Sequence, residues 1–275
     1  MLPRVVATDL DGTLLRSDGT LTQRTRQALI AVEDAGALVV LCTARPARWL
    51  RPLAVAGRHG VAVCANGGVI WDMHAEVVLQ QFPVPEPVAR QVVQRLRPEF
   101  PEAAWAVERA DAFGHEPGYT PRWPVPDDTI VDAIDVLLSA PPVKLMLRHP
   151  HLTVAALAAQ VQRLVGHLVE VTYSSSEEAL LEISAAGVSK ASALAGLCAA
   201  RGISAGEVLA FGDMPNDLPM LTWAGHGVAV ANAHPDVLAV ADEVTAGNDE
   251  DGVAQVLERV LSLPPAGNNR RAHQP

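Results

Sequence analysis

The stretch VVATDLDGTLL, residues 5–15, decides how this chain is read. A run of apolar residues, Val5-Val6-Ala7, ends in two carboxylates one residue apart, Asp9 and Asp11. Paired negative charges repel each other, and each costs free energy to desolvate. A chain that sets them at the end of a buried strand must bring positive charge to the same place.

Outward from that stretch, short β-branched runs alternate with helical patterns. The pattern predicts a strand over 4–8, a helix over 22–35, and strands over 38–43 and 61–65. This rhythm is the mark of βαβ units and a parallel sheet. NGGVIWD (66–72) then carries a hairpin-like turn, with VVLQQF (77–82) as an antiparallel partner. Between about 85 and 182 the character changes: a helix in EPVARQVVQRL (86–96), an irregular Pro-rich stretch at 116–128, a strand over 143–149, a helix over 152–165, and strands near 168–173 and 179–184. From 187 the first rhythm returns, with helices over 189–201, 216–223, 235–241 and 250–262 and strands over 207–211 and 227–231. The final PPAGNNRRAHQP (264–275) is polar and rich in Pro and Gly. The expected layout is a core of residues 1–84 and 183–275, interrupted by an inserted α+β cap of residues 85–182.

Composition narrows the function classes. The 275 residues are 49% hydrophobic and 19% charged, enough to bury real cores. The net charge of −10 and the lack of a Lys/Arg block argue against a nucleic-acid binder, whose affinity rests on neutralising phosphates. No apolar stretch approaches the roughly 18 residues of a spanning helix, so no membrane partner is expected. Asp9 and Asp11 break the first apolar segment at once, against a signal-peptide layout. The three cysteines, Cys42, Cys64 and Cys198, fall in apolar surroundings and read as buried thiols. A cytoplasmic location is the expectation. The nine histidines show no zinc-protease spacing.

In a parallel α/β sheet, ligands gather at the carboxyl ends of the strands. Four pieces of this sequence fall there: Asp9 to Thr13, Thr43-Ala44-Arg45, Lys190 at the start of a helix, and Gly212-Asp213-Met214-Pro215-Asn216-Asp217. Carboxylates from the first and last pieces make an oxygen-rich site that suits Mg²⁺, which prefers a few carboxylates, waters and phosphate oxygens. Lys190 and the Thr43 hydroxyl are then available to a phosphoryl group. Metal and lysine together supply the charge that Asp9 and Asp11 require.

These residues carry a resemblance. DLDGTLL, Thr43 after a second apolar strand, Lys190 in GVSKASAL (187–194), and GDMPNDLPML (212–221) resemble the four motifs of the haloacid dehalogenase superfamily. The chain is similar to its Cof-type branch, small-molecule phosphatases with a large α/β cap between the second and third motifs. NGG (66–68), ANAHPDV (231–237) and NDEDGVA (248–254) fit that branch too. The resemblance implies a Rossmann-like core with helices on both faces and a two-step phosphoryl transfer. It makes Asp9 the nucleophile and Asp11 the general acid and base. Mg²⁺ is held by Asp9, the Asp11 carbonyl and Asp213, with Asp217 near the metal. Thr43, Ala44, Lys190 and Asn216 go to the phosphate, and Arg45, Asn66 and Glu182 are candidates for the substrate. The chain departs from the pattern at Ala44 and Ala191, where Gly is usual.

Taken singly, each residue has a plainer reading: a strand-end carboxylate for Asp9, helix-start charges for Asp213 and Asp217, a surface lysine for Lys190. In the cap, Glu108, His115, Arg122, Lys144 and Glu182 are the polar candidates for the leaving group, and each by itself reads as an exposed side chain. Trp105 and Trp123 read as core packing before interface. The expected partner is a small phosphorylated metabolite, a sugar phosphate among the candidates. A phosphomutase and a catalytically silent binding protein are the other readings. A mutase cap must hold a second phosphate, and this one is sparse in basic residues; a silent binder has no need of an acid/base at position 11.

Overall fold

The computed structural model describes residues 2–50, 60–122 and 124–262; Trp123 and the 264–275 tail lie outside them. The first strands are β1 (Val5–Thr8), β2 (Leu38–Cys42), β3 (Val61–Cys64), β4 (Val69–Asp72) and β5 (Val77–Gln81). Then come β6 (Ala104–Glu108), β7 (Phe113–His115), β8 (Ile130–Val131), β9 (Lys144–Arg148), β10 (Val169–Thr172) and β11 (Leu180–Ala185). The chain ends with β12 (Val208–Gly212), β13 (His226–Val230) and β14 (Glu243–Thr245). Helices are α1 (Gln23–Asp34), α2 (Glu86–Leu96), α3 (Ile134–Leu137), α4 (Val154–Val165), α5 (Lys190–Ala199), α6 (Leu218–Trp223), α7 (Pro235–Val240) and α8 (Gly252–Ser262).

The strands form two sheets. The first runs β14-β13-β12-β1-β2-β3-β4-β5, parallel through β3 and antiparallel at β4 and β5. β1 lies near its centre, with Val5, Val6, Ala7 and Thr8 all fully buried. Successive strand residues point to opposite faces, so total burial means that both faces are covered. Helix α1 packs on α8 and β2, and α5 on α6 and β3. Thr22 caps α1, its hydroxyl accepting from the Thr25 N–H, and Ala28, Leu29 and Val32 form the buried stripe. At the far edge β5 is exposed along its whole length, with Val77, Val78 and Leu79 in solvent. No helix among the described residues is long and apolar enough to cross a membrane. Cys42, Cys64 and Cys198 are free and buried, as their surroundings suggest.

The second sheet runs β10-β11-β9-β6-β7-β8, antiparallel except for the β7–β8 pair. Its β6, β7 and β8, and helix α3, have no counterpart in the hydrophobic pattern. The reason is compositional: Ala104, Ala106 and Gly114 supply alternation without bulk. The parallel edge strand β14 of the first sheet also has no counterpart in the sequence reading, being too short and mixed to register. Strand alternation divides the labour of β6. Trp105 and Val107 enter a core with Val92, Leu96, Leu145, Leu147, Leu157 and Leu181. Ala106 joins Phe113, Tyr119 and Met146 on the opposite side. The sheet does not stop at 182; β11 continues to Ala185. Helix 216–223 is in fact a 3-10 turn, Pro215–Asp217, leading into α6.

Candidate active site

The chain leaves β1 at Asp9, whose N–H donates to the Phe211 carbonyl on neighbouring β12 (3.0 Å). The loop then turns through Gly12 at φ +82°, where a side chain would stand 2.5 Å from Asp213 Oδ2. Only glycine tolerates both that conformation and that approach. Thr13 Oγ1 donates to Asp213 Oδ1 (2.7 Å), joining the loops after β1 and β12. The carbonyls of Gly12 and Leu15 are held in turn by the Asn232 (2.8 Å) and Asn248 (2.9 Å) side-chain amides. Thr13, Asn232 and Asn248 have no role in the sequence reading, although all three lie in stretches quoted there.

After β12 the backbone N–H groups of Asp213 and Met214 both donate to Asp217 Oδ2 (3.1 Å each). Asp217 Oδ1 accepts from Lys190 Nζ at 2.7 Å, and the same ammonium donates to Asp9 Oδ1 at 2.5 Å. Lys190 opens α5 behind the cap residue Ser189, whose side chain exchanges hydrogen bonds with Ser192. It is 1% exposed. A buried charge of this kind persists only when paired, and Lys190 has two carboxylates. Oxygens of Asp9, Asp213 and Asp217 lie within 4.8 Å of one another.

Three buried carboxylates against one ammonium leave the cluster electron-rich. Burial pushes the Asp9 carboxyl well above the usual carboxylate range; Lys190 opposes this, and Asp217 and Asp213 add to it. Burial and then Asp217 push Asp213 up to about 7, against the hydrogen bond from Thr13. Burial alone favours a neutral Lys190, but Asp217 and Asp9 outweigh it and hold the ammonium above the usual lysine range. The donor set is entirely oxygen, which fits a hard divalent cation. Lys190 engages one Asp9 oxygen and Thr13 one Asp213 oxygen, and the Asp9 and Asp213 carboxyl groups also meet each other, whereas the Asp217 oxygens are taken by Lys190 and by backbone N–H groups.

Asp11 stands apart from this cluster. Its carboxylate is turned outward, 55% exposed, and forked by Arg45, with Nε donating to Oδ2 at 2.7 Å. Its side chain is not among the clustered oxygens. Thr43 is buried at the end of β2, in the strand pair that sets Thr8 beside Leu41, and its hydroxyl oxygen accepts from the Arg45 N–H (3.0 Å). Ala44 and Ala191 both have ordinary negative φ, so a methyl there causes no backbone strain.

The remaining candidates are buried and turned on one another. Asn216 donates to Asn66 Oδ1 (3.0 Å), and Asn66 donates to Glu182 Oε2 (3.1 Å). Asn66 sits in the β3–β4 turn at φ +55°. Glu182 accepts from Lys144 Nζ (2.5 Å), which also donates to the Ala44 carbonyl (2.8 Å). Glu108 is forked by Arg48, and His115 Nδ1 meets the Glu116 carbonyl (2.7 Å). Of the five polar cap candidates only Arg122, beside Glu177, is exposed; Glu108, His115, Lys144 and Glu182 are all at least nine-tenths buried. The expectation of exposed side chains therefore fails for those four. They share the sheet face that meets the core loops, where a carboxylate needs a base and finds one. Trp105 is core, as expected.

A model of the haloacid dehalogenase-like hydrolases matches residues 6–257. Among curated proteins, the chain is 31% identical to the pyridoxal phosphate phosphatase YbhA of Escherichia coli (strain K12), over 94% of this chain and 98% of that one. It is 28% identical to the 5-amino-6-(5-phospho-D-ribitylamino)uracil phosphatase YcsE of Bacillus subtilis (strain 168), over 92% and 94%. Among solved structures, BT1666 of Bacteroides thetaiotaomicron, a phosphatase of the same superfamily, superposes with a TM-score of 0.80 at 26% identity, covering 94% of this chain and 95% of the other. With three of the four motifs meeting in one buried cluster and a second sheet inserted between the second and third, the chain belongs to the haloacid dehalogenase-like hydrolases, as a phosphatase of the Cof-type branch.

Proposed function

We propose that the protein is a Mg²⁺-dependent phosphatase of small phosphorylated metabolites, working through an aspartyl-phosphate on Asp9. The observation that carries this reading is Lys190 bridging Asp9 and Asp217 within a buried group of three carboxylates. Asp9 attacks phosphorus, the bond from phosphorus to the leaving oxygen breaks, and Asp11 gives that oxygen its proton. Water then attacks the phosphorus, Asp11 takes a proton from it, and inorganic phosphate departs as Asp9 is regenerated. The exposure of Asp11, outside the buried cluster yet two residues from Asp9, supports this part. The Thr43 hydroxyl, the Ala44 N–H and Lys190 hold the phosphoryl oxygens, stabilising charge as it redistributes. Asp9 and Asp213, with the Asp11 carbonyl, would hold Mg²⁺, which would supply positive charge to the phosphoryl group.

The proposed division is a core of residues 1–84 and 183–275 and a cap of residues 85–182, whose last strand runs on to Ala185, with the cap setting selectivity among substrates. Relatives named for pyridoxal phosphate and a ribitylaminouracil phosphate support a small metabolite as substrate, and sugar phosphates belong to the same class. Transfer to water, not to a second hydroxyl, is supported by the cap's basic groups. Arg90, Arg97, Arg122, Lys144 and Arg148, five of the cap's eight Lys/Arg side chains, are each paired with a carboxylate. The test is a screen against a panel of phosphorylated metabolites with Mg²⁺ and with excess chelator. Metal-dependent release of inorganic phosphate is expected. No release from any member of the panel, with Mg²⁺ binding demonstrated, would overturn the reading.

A further inference from the structure

Four side chains form an unbroken buried chain of hydrogen bonds between the two sheets. It starts at the Ala44 carbonyl, passes through Lys144 Nζ (2.8 Å) to Glu182 Oε1 (2.5 Å), and continues from Oε2 through Asn66 (3.1 Å) to Asn216 (3.0 Å). Lys144 and Glu182 belong to β9 and β11 of the inserted sheet; Ala44, Asn66 and Asn216 belong to core loops after β2, β3 and β12. Exposure is 4% for Lys144, Glu182 and Asn216 and 2% for Asn66. The ends of the chain matter most. Ala44 adjoins Thr43, and Asn216 sits next to Asp217, which grips Lys190.

A buried lysine–glutamate pair is a poor device for stability alone, since apolar residues of similar volume serve as well or better. What this pair does that apolar residues cannot is to aim two hydrogen bonds across the seam. Lys144 fixes the Ala44 carbonyl, and hence the Ala44–Arg45 peptide plane, whose N–H donates to the Thr43 hydroxyl. Glu182 fixes the amide of Asn66, and Asn66 Oδ1 accepts from the Asn216 side chain, whose own Oδ1 has no partner. Lifting the inserted sheet would break both bonds and bare two charges. The second fork on this face, Arg48 with Glu108, spans the same seam.

We propose that Lys144 and Glu182 are positioning residues: seating the cap sets the Thr43–Arg45 loop and the Asn216 amide, so that docking and completion of the phosphoryl site are one event. This rests on the phosphatase reading above. It also assigns Asn66 and Glu182 to the support of the site and not to contact with the leaving group.

The test uses the full chain with Lys144→Met, the near-isosteric Glu182→Gln, and the two combined. Activity is measured on p-nitrophenyl phosphate, too small to need cap contacts, and on the best metabolite of the panel. Hydrogen exchange is followed in peptides covering 43–47 and 213–218, which contain neither substituted residue. Displacements of about 1 Å at reacting groups cost on the order of 100-fold, so kcat is expected to fall about 10- to 100-fold on both substrates. Exchange should rise in both peptides, and the double variant should lose little more than the worse single one. Wild-type kcat on p-nitrophenyl phosphate with a raised KM for the metabolite alone would overturn the proposal in favour of direct substrate contact. A lower melting temperature with kcat and exchange unchanged would reduce the pair to a structural role. Should Lys144→Met not fold, Glu182→Gln decides by the same readouts. The exchange readout needs no turnover, so a wild-type protein without phosphatase activity would fail the functional reading while leaving the coupling measurable.

Discussion

Gly67 offers a test in which the structure sets both the sign and the size of the effect. It sits in the β3–β4 turn at φ +101°, and a Cβ there would lie 2.2 Å from the Ser189 carbonyl oxygen and 2.6 Å from its carbon. Both are backbone atoms of the cap of α5, the helix that opens with Lys190. Gly36, after α1, has nearly the same φ, +97°, yet a Cβ there meets nothing within 4 Å. Alanine at either site carries the left-handed strain of about 1–2 kcal/mol, partly offset by about 0.4–1 kcal/mol from the less flexible unfolded chain. Only Gly67→Ala adds an overlap that forces backbone apart, worth about 1–3 kcal/mol. For a chain of this size 1 kcal/mol is roughly 2–4 °C. Gly67→Ala should therefore melt about 2–12 °C below Gly36→Ala, combining those two ranges. Because the shift is transmitted to Ser189 and Lys190, its turnover should also fall, whereas Gly36→Ala keeps wild-type turnover. Equal melting temperatures for the two variants would refute the claim that the turn abuts the helix start.

Asp9→Asn should abolish phosphate release while circular dichroism and melting stay near wild type, because the amide keeps the shape and loses the nucleophile. Turnover within tenfold of wild type in a folded variant would remove Asp9 from that role. Excess EDTA should stop hydrolysis and Mg²⁺ restore it, with Ca²⁺ a poor substitute because its bonds of about 2.3–2.6 Å and higher coordination misplace the attacking oxygen; full turnover after thorough chelation would end the Mg²⁺ reading. For Glu182, burial pushes the carboxyl up, but Lys144 and the hydrogen bonds from Lys144 and Asn66 more than reverse this, leaving it below its ordinary 4.5. A depressed folded value means stability that is present above 4.5 and lost as pH falls through the lowered value. The gap in melting temperature between wild type and Glu182→Gln should thus be widest near neutrality and shrink in acid; a gap independent of pH would contradict the pairing.

The site was legible where sequence spacing and strand chemistry agree. Val5-Val6-Ala7 reads as a buried strand, the chemistry of parallel sheets gathers ligands at its carboxyl end, and the same argument brings in Asp213 and Lys190. What stayed hidden has a common cause. Lys144, Glu182 and Glu108 are charged, and a single sequence carries no signal that distinguishes a charged residue on a solvated strand face from one pressed against another sheet. The outward turn of Asp11 onto Arg45 depends on a loop conformation with no pattern of its own. The cap strands β6 and β7 were lost because Ala104, Ala106 and Gly114 make a strand look like a turn.

The order of strands in the first sheet bears on how the chain is made. Strand β1 is hydrogen-bonded on one side to β2, close by in sequence, and on the other to β12, where Val5 meets Val208. The second sheet, by contrast, draws all its strands from the uninterrupted span between Ala104 and Ala185. A chain emerging from the ribosome can therefore finish the inserted unit while β1, with Val5, Val6 and Ala7, still waits for its second neighbour. Contacts so distant in sequence close late, since the loop entropy precedes the reward. During that interval an apolar strand edge stands open, and it is the nascent, half-built core, not the native protein, that most needs a chaperone.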